Sequence, residues 1–263
     1  MNRFAGKTII ITGATSGIGR SLALKLAEKQ ANLVLISRSS QKLIDLKSEL
    51  TQFGSSDIQI FTADLSNRQS TRDVFQTIIR DKPIIDALIN NAGVGVFEYA
   101  HLTKQEDVDQ MFQLNVYSII EALTVMIPFF NEQGYGHIIN IASFAGKLST
   151  TKSAVYSATK AAVLAYSNAT RLEFESKNLF LTTVNLGPVK TNFFKQADPD
   201  GHYQQSISDF MLNPEKVANK ICKFLFKRKR EINLPWWMAI GDKLHYQFPR
   251  LSEKIFANQF KRK

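Results

Sequence analysis

The feature that most constrains the fold is an alternation. Short apolar, β-branched runs recur along the chain, and between them apolar residues take up helical spacing. "TIIIT" (8–12), "NLVLIS" (32–37), "IQIFTA" (58–63), "DALIN" (86–90), "HIINIA" (137–142) and "FLTTVNL" (180–186) read as strands buried on both faces, with "EINLP" (231–235) a seventh. Helical periodicity fills 18–29, 40–52, 69–80, 104–130, 153–176 and 214–227. Strands separated by helices pair in parallel, and right-handed crossovers place the helices on both faces of the sheet. The expectation is one α/β domain over residues 1–263, a doubly wound parallel sheet of about seven strands.

Composition supports one large core and excludes several classes. The chain has 263 residues, 44% of them hydrophobic. Cys222 is its one cysteine, so no internal disulfide forms; the residue reads as a small apolar filler, and a reducing, cytoplasmic location is expected. The first residues do not read as a secretion signal, because their apolar stretch runs straight into glycines. The most apolar window, "VYSIIEALTVMIPFF" (116–130), is too short for a membrane span and carries Glu121. The net charge of +10 is uneven: residues 213–263 hold 13 Lys+Arg and 4 Asp+Glu, leaving 20 against 19 for residues 1–212. A neutral body argues against coating nucleic acid, and no metal-ligand spacing is present.

"TGATSGIGR" (12–20) follows the first strand and opens the first helix. Gly13 suits the tight turn, Gly17 lets backbone approach a ligand, and Gly19 lets the helix pack close to the sheet. The free N–H groups and positive dipole of a helix start at this edge form an anion site suited to phosphate. The spacing G-x-x-x-G-x-G differs from the usual dinucleotide fingerprint, and no Gly-Lys-Ser/Thr follows, so this is not a P-loop. Taken alone, it is also what an ordinary glycine-rich turn looks like.

Other motifs narrow the reading. "TADLS" ends the third strand with Asp64, "NNAG" (90–93) closes the fourth, "QLNVYS" sets Asn115 within a long helix, "NIAS" ends the fifth strand with Ser143, and "YSATK" carries Tyr156 and Lys160. T-G-x-x-x-G-x-G, N-N-A-G, a serine thirteen residues before a tyrosine, and Y-x-x-x-K stand in the order of the classical short-chain dehydrogenase/reductase (SDR) family, which the chain resembles over roughly residues 5–235. The resemblance implies a Rossmann-type fold and hydride transfer between a nicotinamide cofactor and a carbonyl or secondary alcohol. It also implies catalytic roles for Asn115, Ser143, Tyr156 and Lys160, with Lys160 holding the nicotinamide ribose and Asn115 supporting it through a water. Cofactor contacts carry over to Gly13, Thr15, Ser16, Gly17, Ile18 and Gly19 of the turn. They extend to Asp64 and Leu65 at the adenine, Asn91, Ala92 and Gly93 along the cleft with Asn90 beside them, and Val189 and Thr191 in "NLGPVKT" (185–191). Leu186 replaces the proline usual before Gly187.

The chemistry is also legible from the residues. Tyr156 and Lys160, at i and i+4, share a helix face. An ammonium there is expected to lower the phenol pKa and bring Tyr156 into range as a general acid/base. Ser143 can donate to a carbonyl oxygen on which charge develops. An amphipathic surface pair is the plain alternative for Tyr156 and Lys160, but the full set in order favours an enzyme over a cofactor-sensing binding protein.

The second strand ends in Ser37 and Arg38, with no carboxylate to hold a ribose diol. A guanidinium suits a 2′-phosphate, so NADP (NADPH) is expected over NAD. Residues 192–212 read as a substrate lid whose Phe193, Phe194, Tyr203, Phe210 and Met211 suit an apolar substrate. A 3-oxoacyl thioester reductase and a sterol- or retinoid-type dehydrogenase stay open. A homo-oligomer, dimer or tetramer, is expected. Residues 236–263 form a basic-aromatic extension, with Trp236, Trp237, Phe248 and Phe256, for which peripheral contact with an anionic membrane is one reading and a solvated cap the other.

Overall fold

The computed structural model describes residues 2–53, 57–174 and 178–255. Seven parallel strands form one sheet in the order β3-β2-β1-β4-β5-β6-β7. They are β1 (Thr8–Thr12), β2 (Asn32–Ser37), β3 (Ile58–Thr62), β4 (Ala87–Asn90), β5 (Gly136–Ser143), β6 (Leu179–Leu186) and β7 (Glu231–Leu234). All seven coincide with the apolar runs to within two residues at either end. The chain runs outward from β1 to β3 and then crosses back to set β4 on the other side of β1, where the order reverses direction. That places a crevice at the carboxyl ends of β1 and β4, as the topology of open α/β sheets requires.

The helices are α1 (Gly17–Ala27), α2 (Ser40–Thr51), α3 (Arg68–Asp81), α4 (Gln105–Phe112), α5 (Ser118–Gln133), α6 (Ala154–Thr170), α7 (Phe193–Ala197), α8 (His202–Ser206), α9 (Pro214–Phe224), α10 (Met238–Gln247) and α11 (Pro249–Ile255). Two apolar layers cover the sheet. One packs α1 and α9 on β1 and β6 through Leu22, Leu26, Val217 and Ile221, and it takes in Cys222, whose thiol burial pushes up to about 11. The other packs α3 and α5 through Phe75, Ile78, Leu123, Met126 and Phe130.

The helix expected over 104–130 is present as the run Gln105–Gln133, with one irregularity inside it. A π turn at Gln113–Tyr117 separates α4 from α5. A π turn admits one extra residue without disturbing the apolar pattern on either side, so periodicity alone misses it. The combined run Gln105–Gln133 is long and apolar enough to cross a membrane by composition. Its inner face belongs to the core, and its buried Glu121 pairs with Arg68 at 2.6 Å and with Arg72, both on α3. The helix expected over 153–176 stops at Thr170, and residues 175–177 lie outside those described. Phe256 and the basic residues 261–263 also fall outside them.

Candidate active site

The glycine turn is held from β4. Asn91 Nδ2 donates to the carbonyls of Thr12 and Gly13 at 3.0 and 3.2 Å, and Thr12 Oγ1 accepts from the N–H groups of Asn91 and Ala92. Gly13 and Gly17 take φ of +63° and +50°, a region that side chains resist. A Cβ on Gly19 would lie 2.2 Å from the Gly13 carbonyl oxygen, which is the close approach that position was read to need. Ser16, the residue preceding α1, makes no side-chain cap, so the first N–H groups of the helix face the crevice without one.

A cleft of about 1160 Å³ runs from this turn across the carboxyl ends of the strands. Sixteen of the nineteen catalytic and cofactor-contact residues named from sequence line it: Gly13, Thr15, Ser16, Gly17, Ile18, Ser37, Arg38, Leu65, Asn91, Ala92, Gly93, Ser143, Tyr156, Lys160, Val189 and Thr191. Gly19, Asp64 and Asn115 do not. Gly19 is buried beneath the turn. The Asp64 carboxylate accepts from the backbone N–H and hydroxyl of Ser66 at 3.0 and 2.7 Å, closing the turn into α3 rather than facing the cleft. Asn90 is buried in a polar ladder from β4 to α6: it donates to Asn140, which donates to Ser167.

Asn115 lies in the π turn, fully buried. Its Oδ1 accepts from the Val94 N–H at 2.9 Å, and its Nδ2 donates to the Val94 carbonyl at 2.8 Å and to Thr159 Oγ1 at 3.1 Å. The side chain therefore clamps the segment after "NNAG" to α6, one residue from Lys160.

Ser143 ends β5, and Tyr156 and Lys160 lie on α6, packed above it. Ser143 Oγ accepts from the Ala145 N–H at 3.0 Å and shares a hydrogen bond with the Tyr156 hydroxyl. Lys160 Nζ donates to the Ile141 carbonyl at 3.2 Å. Burial pushes the Tyr156 phenol up to about 12, against the lowering effect of the Ser143 hydrogen bond. Burial also brings the Lys160 ammonium down to about 8. The sequence led to the opposite expectation for Tyr156. The correction has a physical cause: loss of water disfavours the phenolate more than the Ser143 hydrogen bond favours it, and Lys160 is itself desolvated.

The segment read as a lid leaves and returns through a bridge between Val189 and Leu212, so residues 190–211 form one closed excursion. Phe193, Phe194, Tyr203 and Phe210 line the cleft as read; Met211 does not. Phe97 and Phe144 also line the cleft, neither marked by a motif, and Phe97 is the one against Tyr156. Its ring stands edge-on to Tyr156 at 5.8 Å and to Tyr203 at 5.4 Å, and it contacts Phe193 at 6.2 Å. Its N–H donates to the Ala197 carbonyl at 2.9 Å, joining the loop after β4 to the lid. Lys42, one turn into α2 beside Arg38, also lines the cleft. So do Trp237, Met238, Leu244, His245 and Ser252 of the C-terminal segment. That segment is therefore a wall of the cleft as well as an extension. The sequence marks Trp237 only as part of a basic-aromatic extension and the others by no motif, because only their position beyond β7 brings them in.

Comparison with known proteins agrees with this geometry. The short chain dehydrogenase family matches residues 7–201. An uncharacterized oxidoreductase of Staphylococcus saprophyticus is 31% identical over 84% of this chain and 90% of its own. A ketoacyl reductase of Nostoc is 31% identical over 88% of this chain and 79% of its own, and a fatty acyl-CoA reductase of Acinetobacter baylyi is 29% identical over 86% and 75%. Among solved structures, a short chain dehydrogenase/reductase from Burkholderia phymatum in complex with NAD superposes with a TM-score of 0.87, at 23% identity over 95% of this chain and 96% of that one. A serine dehydrogenase complexed with NADP+ gives 0.77 at 25% identity, over 86% and 93%. The chain belongs to the short-chain dehydrogenase/reductase family and is an NAD(P)-dependent oxidoreductase.

The cleft fits a nicotinamide dinucleotide. The bare helix start and the glycine turn suit a pyrophosphate. A Cβ on Gly13 would crowd Ala92 at 3.0 Å, so the floor of the cleft has no room for a side chain there.

Proposed function

We propose that this protein is an NADP-dependent reductase or dehydrogenase acting on the carbonyl or secondary alcohol of an apolar substrate, with Tyr156 as general acid/base. One observation carries the reading. Tyr156, Ser143 and Lys160 meet in a single cleft whose one end is the glycine turn and whose other end is an aromatic wall. A nicotinamide held by Lys160 and Thr191 would supply or accept the hydride at the substrate carbon.

The protein residues do the rest. Ser143 orients the carbonyl oxygen and stabilises charge as it grows. Tyr156 gives its proton to that oxygen in reduction and takes one in oxidation. Lys160 holds a positive charge beside the phenol and offers a donor to a ribose hydroxyl. Asn115 fixes the backbone of Val94 against α6 and so positions both Lys160 and the "NNAG" loop; that clamp is its proposed contribution, alongside support of Lys160 through water. Phe97, Phe193 and Tyr203 exclude water around Tyr156 and select an apolar substrate.

Arg38 and Lys42 place two cations, with the hydroxyls of Ser37 and Ser39, where the adenosine ribose would lie. That pairing supports NADP over NAD. Leu65, Asn91, Ala92, Gly93, Val189 and Thr191 would complete the cofactor contacts, and Asp64 would need to leave Ser66 to join them.

The relatives named as ketoacyl and fatty acyl-CoA reductases make an acyl thioester the first substrate class to test. The half-buried Ile120, Val125, Ile127 and Phe129 of α5 support a homo-oligomer, which sedimentation would show. The deciding experiment follows NADPH absorbance against carbonyl compounds of graded chain length. Turnover that rises with apolar length supports the reading, and no turnover on any of them overturns it.

A further inference from the structure

Eight of the sixteen exposed large hydrophobic side chains among the described residues lie between Trp236 and Ile255. Trp237, which caps α10, and Ile240 and Leu244 on it stand at i, i+3 and i+7, one stripe of the helix, and are about half exposed. Met238, Gly241 and His245, on another side, face the cleft. No residue of α10 is fully buried. A helix of this length is marginal alone, and this one is held by α11 and by Asp242, which reaches Lys147 at 3.7 Å. Trp237 and Leu244 belong both to the outer stripe and to the lining of the cleft, so the apolar patch and the cleft share a rim. Phe210, also half exposed, lines the cleft from the lid.

Charge adds a direction. Residues 236–263 carry six Lys+Arg against two acidic residues. Lys243, Arg250 and Lys254 are exposed on the same two helices. The cluster Lys227–Arg230 does not contribute, because it precedes β7 and lies at the opposite edge of the sheet from the cleft. The basic tail read from sequence is thus two separate groups, and only the second accompanies the tryptophans.

We propose that α10 and α11 dock on an anionic lipid surface with the mouth of the cleft turned toward the bilayer. Amphipathic rings sit at the lipid headgroups, aliphatic side chains enter the acyl boundary, and the lysines and arginine meet anionic headgroups. An apolar carbonyl compound then passes between bilayer and cleft without crossing water. The passage of substrate rests on the function proposed above; the docking does not.

The chain supplies its own probe, since its two tryptophans are Trp236 and Trp237. The full-length protein is titrated with phosphatidylcholine vesicles and with vesicles containing phosphatidylserine, and tryptophan emission is recorded. The expected result is a blue shift, and quenching by brominated lipid, with the anionic vesicles only, weakened by salt. The double variant Ile240→Asp with Leu251→Asp, both outside the cleft, should lower vesicle partitioning by about tenfold or more and leave reduction of a short water-soluble ketone unchanged. Unchanged emission with anionic vesicles at low salt, or equal binding by the variant, overturns the proposal. Equal binding to both vesicle types overturns the anionic surface. A blue shift that grows with protein concentration alone assigns the face to a second copy instead. A chain that binds vesicles but reduces no carbonyl keeps the docking and overturns the function proposed for the cleft.

Discussion

Lys160 Nζ lies 5.8 Å from the centroid of the Tyr156 ring, one helical turn along α6, and is held there by the carbonyl of Ile141. The ammonium is thus set by the sheet rather than by the phenol. Burial keeps Tyr156 protonated and leaves Lys160 close to neutrality as pH rises. On the function proposed above, a protonated Tyr156 is the form that gives its proton in reduction.

Replacing Tyr156 by Phe tests the proton donor. The ring keeps its contacts with Phe97 and Phe193, so the fold and cofactor affinity should change little. Turnover should fall by about a hundredfold to ten-thousandfold, the usual worth of a general acid. Comparable turnover in the variant, measured at saturating NADPH, overturns the role.

The pH profile has a defined sign. Tyr156, at about 12, stays protonated through the working range, whereas Lys160, at about 8, loses its charge as pH rises. For carbonyl reduction kcat/KM, which reports the free enzyme, should hold below that value and decline above it. A profile flat to high pH would remove Lys160 from the mechanism.

Arg38→Ala addresses cofactor choice. Loss of a charge-assisted hydrogen bond of about 1.5–3 kcal/mol should weaken NADPH by roughly tenfold to a hundredfold and NADH much less. Lys42→Ala should act in the same direction. Equal weakening of both cofactors in titrations contradicts the assignment.

A fourth expectation concerns acid stability. His137 Nδ1 accepts from the Phe226 N–H at 3.0 Å, which leaves Nε2 to donate to Thr182. The ring is held neutral, and burial takes its pKa down to about 3. The unfolded chain binds this proton near the ordinary pKa of about 6.5, so the unfolded state holds more protons between these values and stability must fall as pH falls through that window. The slope is up to about 1.4 kcal/mol per pH unit. Denaturant unfolding across the window should show it, and His137→Gln should flatten it at the cost of some stability at neutral pH.

Much of this protein was settled by sequence alone. Continuous β-branched runs can be buried only on both faces, so they determined all seven strands and the parallel sheet. The glycines of 12–20 and the order Ser143, Tyr156, Lys160 pointed to the carboxyl ends of the strands, where these residues line one crevice, because strand ends and an i, i+4 pair are local geometry. Tertiary structure alone decided the rest. It set the direction of the Tyr156 pKa shift, which depends on how much protein surrounds the phenol. It placed Asn115 in a π turn that periodicity does not register, and it turned Asp64 toward Ser66. It brought Phe97 and Lys42 into the cleft and made α10 a wall of it, since contacts between residues distant in the chain leave no spacing to read. It also parted Lys227–Arg230 from the tryptophans that follow closely in sequence, because a β-strand carries the chain from one edge of the sheet to the other.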